Sequence, residues 1–229
     1  MASSKIDRNQ LPTIHAVVFD MDGLMLNTED IFELAGNALM ERRGRTMTDE
    51  YRRAMLGRRA HEAFAALREL SGITDEISDL MSETKELFQA IAADSLDTMP
   101  GLMPLLNVVE RNSLPRAVAT SSPRSYMTGL LERFDLLRRF PLTLTAEDVT
   151  HGKPHPEIYL EAAKQLGVAP QNMLVLEDSE TGTRAAAAAG AFTVSVPNRH
   201  TAWGDFSMCS LRIDSLHDPI LAQIITGAF

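Results

Sequence analysis

The 229-residue chain holds a single cysteine, Cys209. One thiol excludes an intrachain disulfide framework and suits a reducing compartment. Cys209 reads as a small packed residue rather than a nucleophile. Basic charge is scarce as well: 22 Lys and Arg stand against 31 Asp and Glu, for a formal net charge of -9. That balance argues against binding a nucleic acid polymer, which needs a basic footprint. It leaves anionic small molecules open, because a few local cations and a metal offset a global field. Long apolar runs are missing too. The longest nearly unbroken one, Ala185 to Val194, is interrupted by glycine and threonine and is too short to cross a bilayer. The polar start, Met1 to Gln10, lacks the apolar core of a signal peptide. The expectation is a cytoplasmic protein with no membrane partner, monomeric by default.

What is present is punctuated apolar pattern. Ala16 to Phe19 is a short apolar run that stops at Asp20, with Asp22 and Gly23 following in D-M-D-G. A buried strand emptying into a loop reads this way, although D-x-D-G is also ordinary turn chemistry. From Glu29 to Arg43 a broad apolar stripe at helical spacing ends at Gly44, and further helical segments follow at about 49–56, 61–70 and 75–93. Nothing between 29 and 97 reads as a strand. Beyond Met99-Pro100-Gly101, helical patterns at 102–112, at 124–138, from an opening Lys153-Pro154-His155-Pro156 to about 166, and at 181–189 alternate with strand patterns at 116–120, 142–145, 173–176 and 192–196. Alternation of this kind implies a parallel sheet with crossover connections. The expected fold is α/β: a Rossmann-like parallel sheet core, residues 1–28 and 98–229, with a small all-helical cap domain, 29–97, inserted after the first strand.

Three of these strands end in reactive side chains: Asp20 and Asp22, Thr120 and Ser121, Glu177 and Asp178. A parallel sheet gathers such ends on one edge. Carboxylates crowded there repel one another unless a hard cation joins them. An all-oxygen set without clustered cysteine or histidine favours Mg2+ over zinc. Pro123 suits a first helical position and Ser122 the N-cap, so Thr120 would precede a helix whose amides and dipole suit an anion. Lys153 offers a point charge able to bridge a carboxylate and a phosphate oxygen. Taken singly, T-S-S-P is as readily a plain helix cap and Lys153 a solvated surface lysine.

Together the segments D-M-D-G-L-M-L-N-T-E, V-A-T-S-S, G-K-P-H-P-E-I-Y-L and L-E-D-S-E-T-G-T-R-A resemble the haloacid dehalogenase-like superfamily. They are similar in particular to its helical-cap phosphatases and β-phosphoglucomutase-like members. The resemblance spans residues 17–196 and implies roles for matching positions. Asp20 would be the nucleophile that takes the phosphoryl group. Asp22 would protonate the leaving oxygen and then deprotonate the attacking water; its presence also departs from the true dehalogenases. Thr120, Ser121 and Lys153 fall at the phosphate-holding positions. Asp178, with Asp20 and the main-chain carbonyl of Asp22, would hold Mg2+, and Glu177 would support that shell.

The resemblance implies a phosphatase acting on a small phosphorylated metabolite, a sugar phosphate or similar phosphomonoester, through an aspartyl-phosphate. A sugar-phosphate mutase is the alternative, but the histidine of the mutase cap is matched by Phe32, and Gly36 and Ala60 stand roughly where its aromatic and arginine would be. A catalytically idle binding protein would have lost Asp20, Asp22, Lys153 or Asp178, and all of these are present. In the cap, Leu56-Gly57-Arg58-Arg59 somewhat resembles pseudouridine-5′-phosphatase-type relatives. Arg58 and Arg59 are candidates for selecting substrate, or simply exposed residues opening a helix. His151 and His155 read as loop residues.

Overall fold

The apolar run Ala16–Phe19 forms strand β1, buried along its whole length, as a strand covered on both faces must be. The computed structural model describes residues 12–55 and 60–228. Its sheet contains β1, β2 (Arg116–Ala119), β3 (Leu142–Leu144), β4 (Met173–Glu177), β5 (Phe192–Ser195) and β6 (Leu211–Arg212) in the order β3-β2-β1-β4-β5-β6. Every pairing is parallel, with Val18 opposite Ala117 on one side and Val175 on the other. The chain builds outward from β1 to β3, then returns to lay β4, β5 and β6 on the opposite side. The order therefore reverses between β1 and β4, where open α/β sheets leave a crevice at the strands' carboxyl ends. The reactive termini of β2, β1 and β4 are thus neighbours.

The chain divides into two units, Met1–Leu26 with Thr98–Phe229, and Asn27–Asp97. In the first, α7 (Glu157–Leu166) and α8 (Glu180–Ala188) cover one sheet face. Tyr159, Ala162, Ala163, Ala185 and Ala186 are buried there against Ala16, Val18, Ala117 and Val175. The alanines of α8 keep that helix close to the strands, which is what an Ala-rich sequence between two strands allows. Elsewhere in this unit, Phe19 meets Phe140 edge to face at 5.6 Å, and α5 (Leu102–Arg111) packs on α9 (Pro219–Thr226). Neither β6 nor α9 belongs to the sequence pattern read above, which stops at residue 196.

The second unit holds α1 (Thr28–Glu41), α2 (Asp49–Met55), α3 (Ala60–Ser71) and α4 (Ile77–Ser95), and no strand among the described residues. Ile31, Ala35 and Leu39 of α1 and Leu80, Leu87 and Phe88 of α4 are buried, the stripe that i, i+4 spacing produces. Arg43 ties the end of α1 to this bundle, donating to Asp75 Oδ1 and Glu83 Oε2 at 2.7 Å each. At the unit's two ends Asn27 Oδ1 accepts from Asp97 N (2.7 Å) and Asn27 Nδ2 donates to Ser95 O (3.1 Å), so the chain enters and leaves side by side. Phe32, which the resemblance matches to the mutase histidine, meets Phe88 with ring centroids 4.5 Å apart and the rings tilted by 39°.

One helix is shorter than its sequence pattern. The run 124–138 yields α6 (Arg124–Arg133) only, because Asp135 takes a left-handed φ of 57° and a short 3-10 turn follows at Leu137–Arg139.

Candidate active site

At the carboxyl end of β1 the Asp20 amide still donates to Leu176 O of β4 (3.0 Å), so the residue's backbone belongs to the sheet while its side chain leaves it. Asp20 Oδ1 accepts from Lys153 Nζ at 2.6 Å. That ammonium, only 5% exposed, also donates to Ala119 O at 3.0 Å and Glu177 Oε1 at 2.6 Å. Its three donors therefore meet three oxygens, from the ends of β1, β2 and β4.

Burial opposes charge on Lys153, but Asp20 and Glu177 outweigh it and hold the amine well above its ordinary value. Lys153 stays an ammonium. Burial pushes Asp20 well above the usual carboxylate range; Lys153 works against that shift, and Glu177 and Asp22 add to it. The nucleophile candidate thus sits where a further positive charge would favour its ionised form.

The carboxylates of Asp20, Glu177 and Asp178 lie within 4.8 Å of one another, all buried, and can hold a metal ion. These donors are all oxygen, the set that suits a hard cation. Asp178 Oδ2 accepts from Asn198 Nδ2 at 2.8 Å, and the same amide donates to Gly23 O at 3.1 Å. Gly23 turns the loop after Asp22 with a φ of +73°, and a Cβ here would stand 2.5 Å from Asp178 Oδ2 and 2.7 Å from Asn198 Nδ2. Glycine is required on both grounds.

Glu177 is fully buried. Its Oε1 takes the Lys153 ammonium and the Tyr159 hydroxyl (2.5 Å), while Oε2 accepts from Ser179 Oγ at 3.1 Å. It lies across the first turn of α8, in the space a side chain at Gly182 would fill. The positive end of that helix suits a carboxylate.

Asp22 faces a different group. Its Oδ2 accepts from Ser122 Oγ (2.7 Å) and Thr120 Oγ1 (3.2 Å), and its Oδ1 from Tyr126 Oη (3.3 Å). Its side chain is therefore held by hydroxyls apart from the three clustered carboxylates. Thr120 is buried and also accepts from Ser122 N at 3.0 Å, whereas Ser121 beside it is exposed and joins none of these bonds. Ser122 does not cap α6 as expected. Pro123 occupies the cap position without a side-chain bond, Ser122 turns to Asp22, and the first amide, Arg124 N, is bound by both oxygens of Glu147 at 3.1 Å. A protein carboxylate thus already meets that helix end.

The structure therefore brings together Asp20, Lys153, Glu177 and Asp178, with Asp22 and Thr120 alongside. Arg58 and Arg59 lie outside the described residues. His151 and His155 pair with each other in the loop, ring centroids 4.7 Å apart. Sequence reading missed Tyr159, Asn198, Ser122's bond to Asp22, Tyr126 and Gly182. Only Tyr159 carried a signal: a phenol on the buried stripe of a helix needs a partner for its hydroxyl.

A family model described as haloacid dehalogenase-like hydrolase matches residues 17–196. The phosphorylated carbohydrates phosphatase of Thermotoga maritima is 32% identical over 177 residues, covering 77% of this chain and 82% of that protein. The validoxylamine A 7'-phosphate phosphatase of Streptomyces hygroscopicus subsp. limoneus is 33% identical over 185 residues, 81% of this chain and 86% of its own. Among solved structures, CbbY from Rhodobacter sphaeroides in complex with phosphate superposes with a TM-score of 0.75 at 27% identity, covering 90% of this chain and 96% of that one.

Proposed function

The chain belongs to the haloacid dehalogenase-like hydrolases and is a phosphomonoester hydrolase, and from that premise we propose that it dephosphorylates a small sugar phosphate or similar metabolite through Asp20. The observation that carries this reading is the Lys153 ammonium seated 2.6 Å from Asp20 and 2.6 Å from Glu177 at the point where the strand order reverses. A carboxylate is a nucleophile without a base to activate it once ionised. An Asp20 oxygen attacks phosphorus, the bond from phosphorus to the ester oxygen breaks, and Asp22 gives its proton to the departing oxygen. Asp22, now ionised, takes a proton from water as the water oxygen attacks the same phosphorus, and the bond to Asp20 breaks to release orthophosphate.

The hydroxyls of Ser122 and Tyr126 hold Asp22 in place for both transfers, while Thr120, whose single O–H meets Asp22 in the free site, turns it to the substrate. Thr120 and Lys153, with Ser121 as a further candidate, bind the phosphoryl oxygens. For Lys153 this means trading one of its three protein acceptors for substrate. Mg2+ would be held by Asp20, Asp178 and the main-chain carbonyl of Asp22, with Glu177 in support, and would supply charge neutralisation to the transferring group. The oxygen-only, buried carboxylate cluster and the raised Asp20 both support a hard cation there. We assign residues 29–97 the role of a cap, with Arg58 and Arg59 selecting substrate. The phosphatase names of two relatives, one of them for phosphorylated carbohydrates, support hydrolysis of a small phosphomonoester, as does the absence of a mutase histidine at Phe32.

The test is inorganic phosphate release from a panel of sugar phosphates, phosphoglycolate, nucleotides and pseudouridine phosphate, with Mg2+ or chelator, for wild type and Asp20→Asn. Metal-dependent release that Asp20→Asn abolishes is expected. Conversion of glucose 1-phosphate to glucose 6-phosphate without release would replace this reading with the mutase.

A further inference from the structure

We propose that Tyr159 is a positioning residue for phosphoryl transfer: its hydroxyl fixes Glu177, and Glu177 in turn fixes the Lys153 ammonium against Asp20. The inference rests on the reading above that Asp20 takes the phosphoryl group. Tyr159 Oη and Lys153 Nζ donate to the same oxygen, Glu177 Oε1, at 2.5 and 2.6 Å. All of this is buried: Tyr159 and Glu177 are fully so, and Lys153 nearly so.

The opposite oxygen of Glu177 is held by Ser179 Oγ, at the N-cap of α8, at 3.1 Å. The phenol therefore sets the side of the carboxylate that faces the lysine. An ammonium shared among three acceptors takes its position from the most rigid of them, and two anchors, one on α7 and one in the turn before α8, make Glu177 rigid. The Tyr159 ring does separate work, lying 5.1 Å from Lys153 Nζ as a cation–π partner. Phenylalanine would keep this ring and its packing, so Tyr159→Phe removes the hydroxyl alone.

The experiment compares full-length wild type, Tyr159→Phe, Glu177→Gln and the double variant in steady-state phosphate release, with thermal unfolding of each and a crystal structure of Tyr159→Phe. The proposal predicts that Tyr159→Phe lowers kcat roughly tenfold, as loss of a hydrogen bond to a charged group in the site would, with KM within about twofold. It further predicts that the phenylalanine adds little to the loss already caused by Glu177→Gln, because the hydroxyl acts through that carboxylate. Undiminished kcat, or losses that multiply in the double variant, would overturn it. A merely structural hydroxyl would lower the unfolding temperature and leave kcat per folded molecule unchanged, which also overturns it. The crystal structure is read independently of activity. If no substrate in the panel releases phosphate from wild type, the functional reading fails first. The positioning claim then stands on Glu177 and the Lys153 ammonium having moved in Tyr159→Phe, and falls if both keep their wild-type places.

Discussion

Replacing Gly182 with alanine sets two well-understood effects against each other. Gly182 lies in the first turn of α8, where alanine should raise helix stability by up to about 1 kcal/mol. The structure predicts the opposite sign. A Cβ at this position would overlap the carboxyl carbon and both oxygens of Glu177. A side-chain end can usually swing away, but this one is fully buried and pinned by Lys153, Tyr159 and Ser179. Moving it separates a buried ion pair, a change that costs about 3–5 kcal/mol when one partner is removed. Subtracting the helix gain of up to about 1 kcal/mol leaves a net expected loss of about 2–4 kcal/mol. Phosphate release should fall with it, because Lys153 loses the acceptor that locates it. The assay is urea denaturation of wild type and variant, with phosphate release measured on the folded fraction. Gly129 in α6 is the control: a Cβ there meets nothing within 4 Å, so Gly129→Ala should stabilise by about 0.5–1 kcal/mol. If Gly182→Ala proved as stable as wild type, or more so, Glu177 would not be fixed as described and the account of Lys153 would lose its basis.

How much of this was legible depended on whether a residue's partner is near it in sequence. The strand β1 and its terminal Asp20 could be read because a short apolar run closed by an acid fits few other environments, and the parallel order followed from the alternation around it. The end of α6 could not be read from periodicity, since Asp135 breaks the helix with a left-handed turn inside a continuing apolar pattern. Ser122 shows the limit most clearly. Local chemistry makes a serine before Pro123 a helix cap, but its hydroxyl is taken by Asp22, 100 positions away, and Glu147 replaces it at the Arg124 amide. Asn198 and Gly182 were invisible for the same reason: each matters through a carboxylate brought to it by the sheet. Strand β6 has two residues, too few to show alternation.

Asn198→Ala removes the amide that joins Asp178 to the Gly23 carbonyl. It should weaken Mg2+ binding by about 10–100-fold in calorimetric titration, the usual cost of losing a ligand's outer partner; unchanged affinity would overturn the part given to Asn198 in orienting Asp178. In the helical unit, hydrogen bonds from Arg43 lower Asp75 and Glu83 below their ordinary values of 3.8 and 4.5. Groups lowered by folding contribute stability that is full above those values and lost as pH falls through the lowered ones. Arg43→Met should therefore be less stable than wild type at neutral pH, with the gap closing below about pH 4; an equal gap at pH 7 and pH 3 in thermal melts would contradict the assignment.

The most direct test of the central claim is to trap the phosphoryl group on the enzyme. Wild type and Asp22→Asn would be mixed with a phosphorus-labelled substrate from the active class, quenched in acid within milliseconds, and mapped by peptide mass spectrometry. A hydroxylamine-labile label on Asp20 is expected in wild type, formed and lost more slowly in Asp22→Asn because that variant lacks both the acid of the first step and the base of the second, and absent from Asp20→Asn. Rapid phosphate release with no label on Asp20, undiminished in Asp20→Asn, would contradict it.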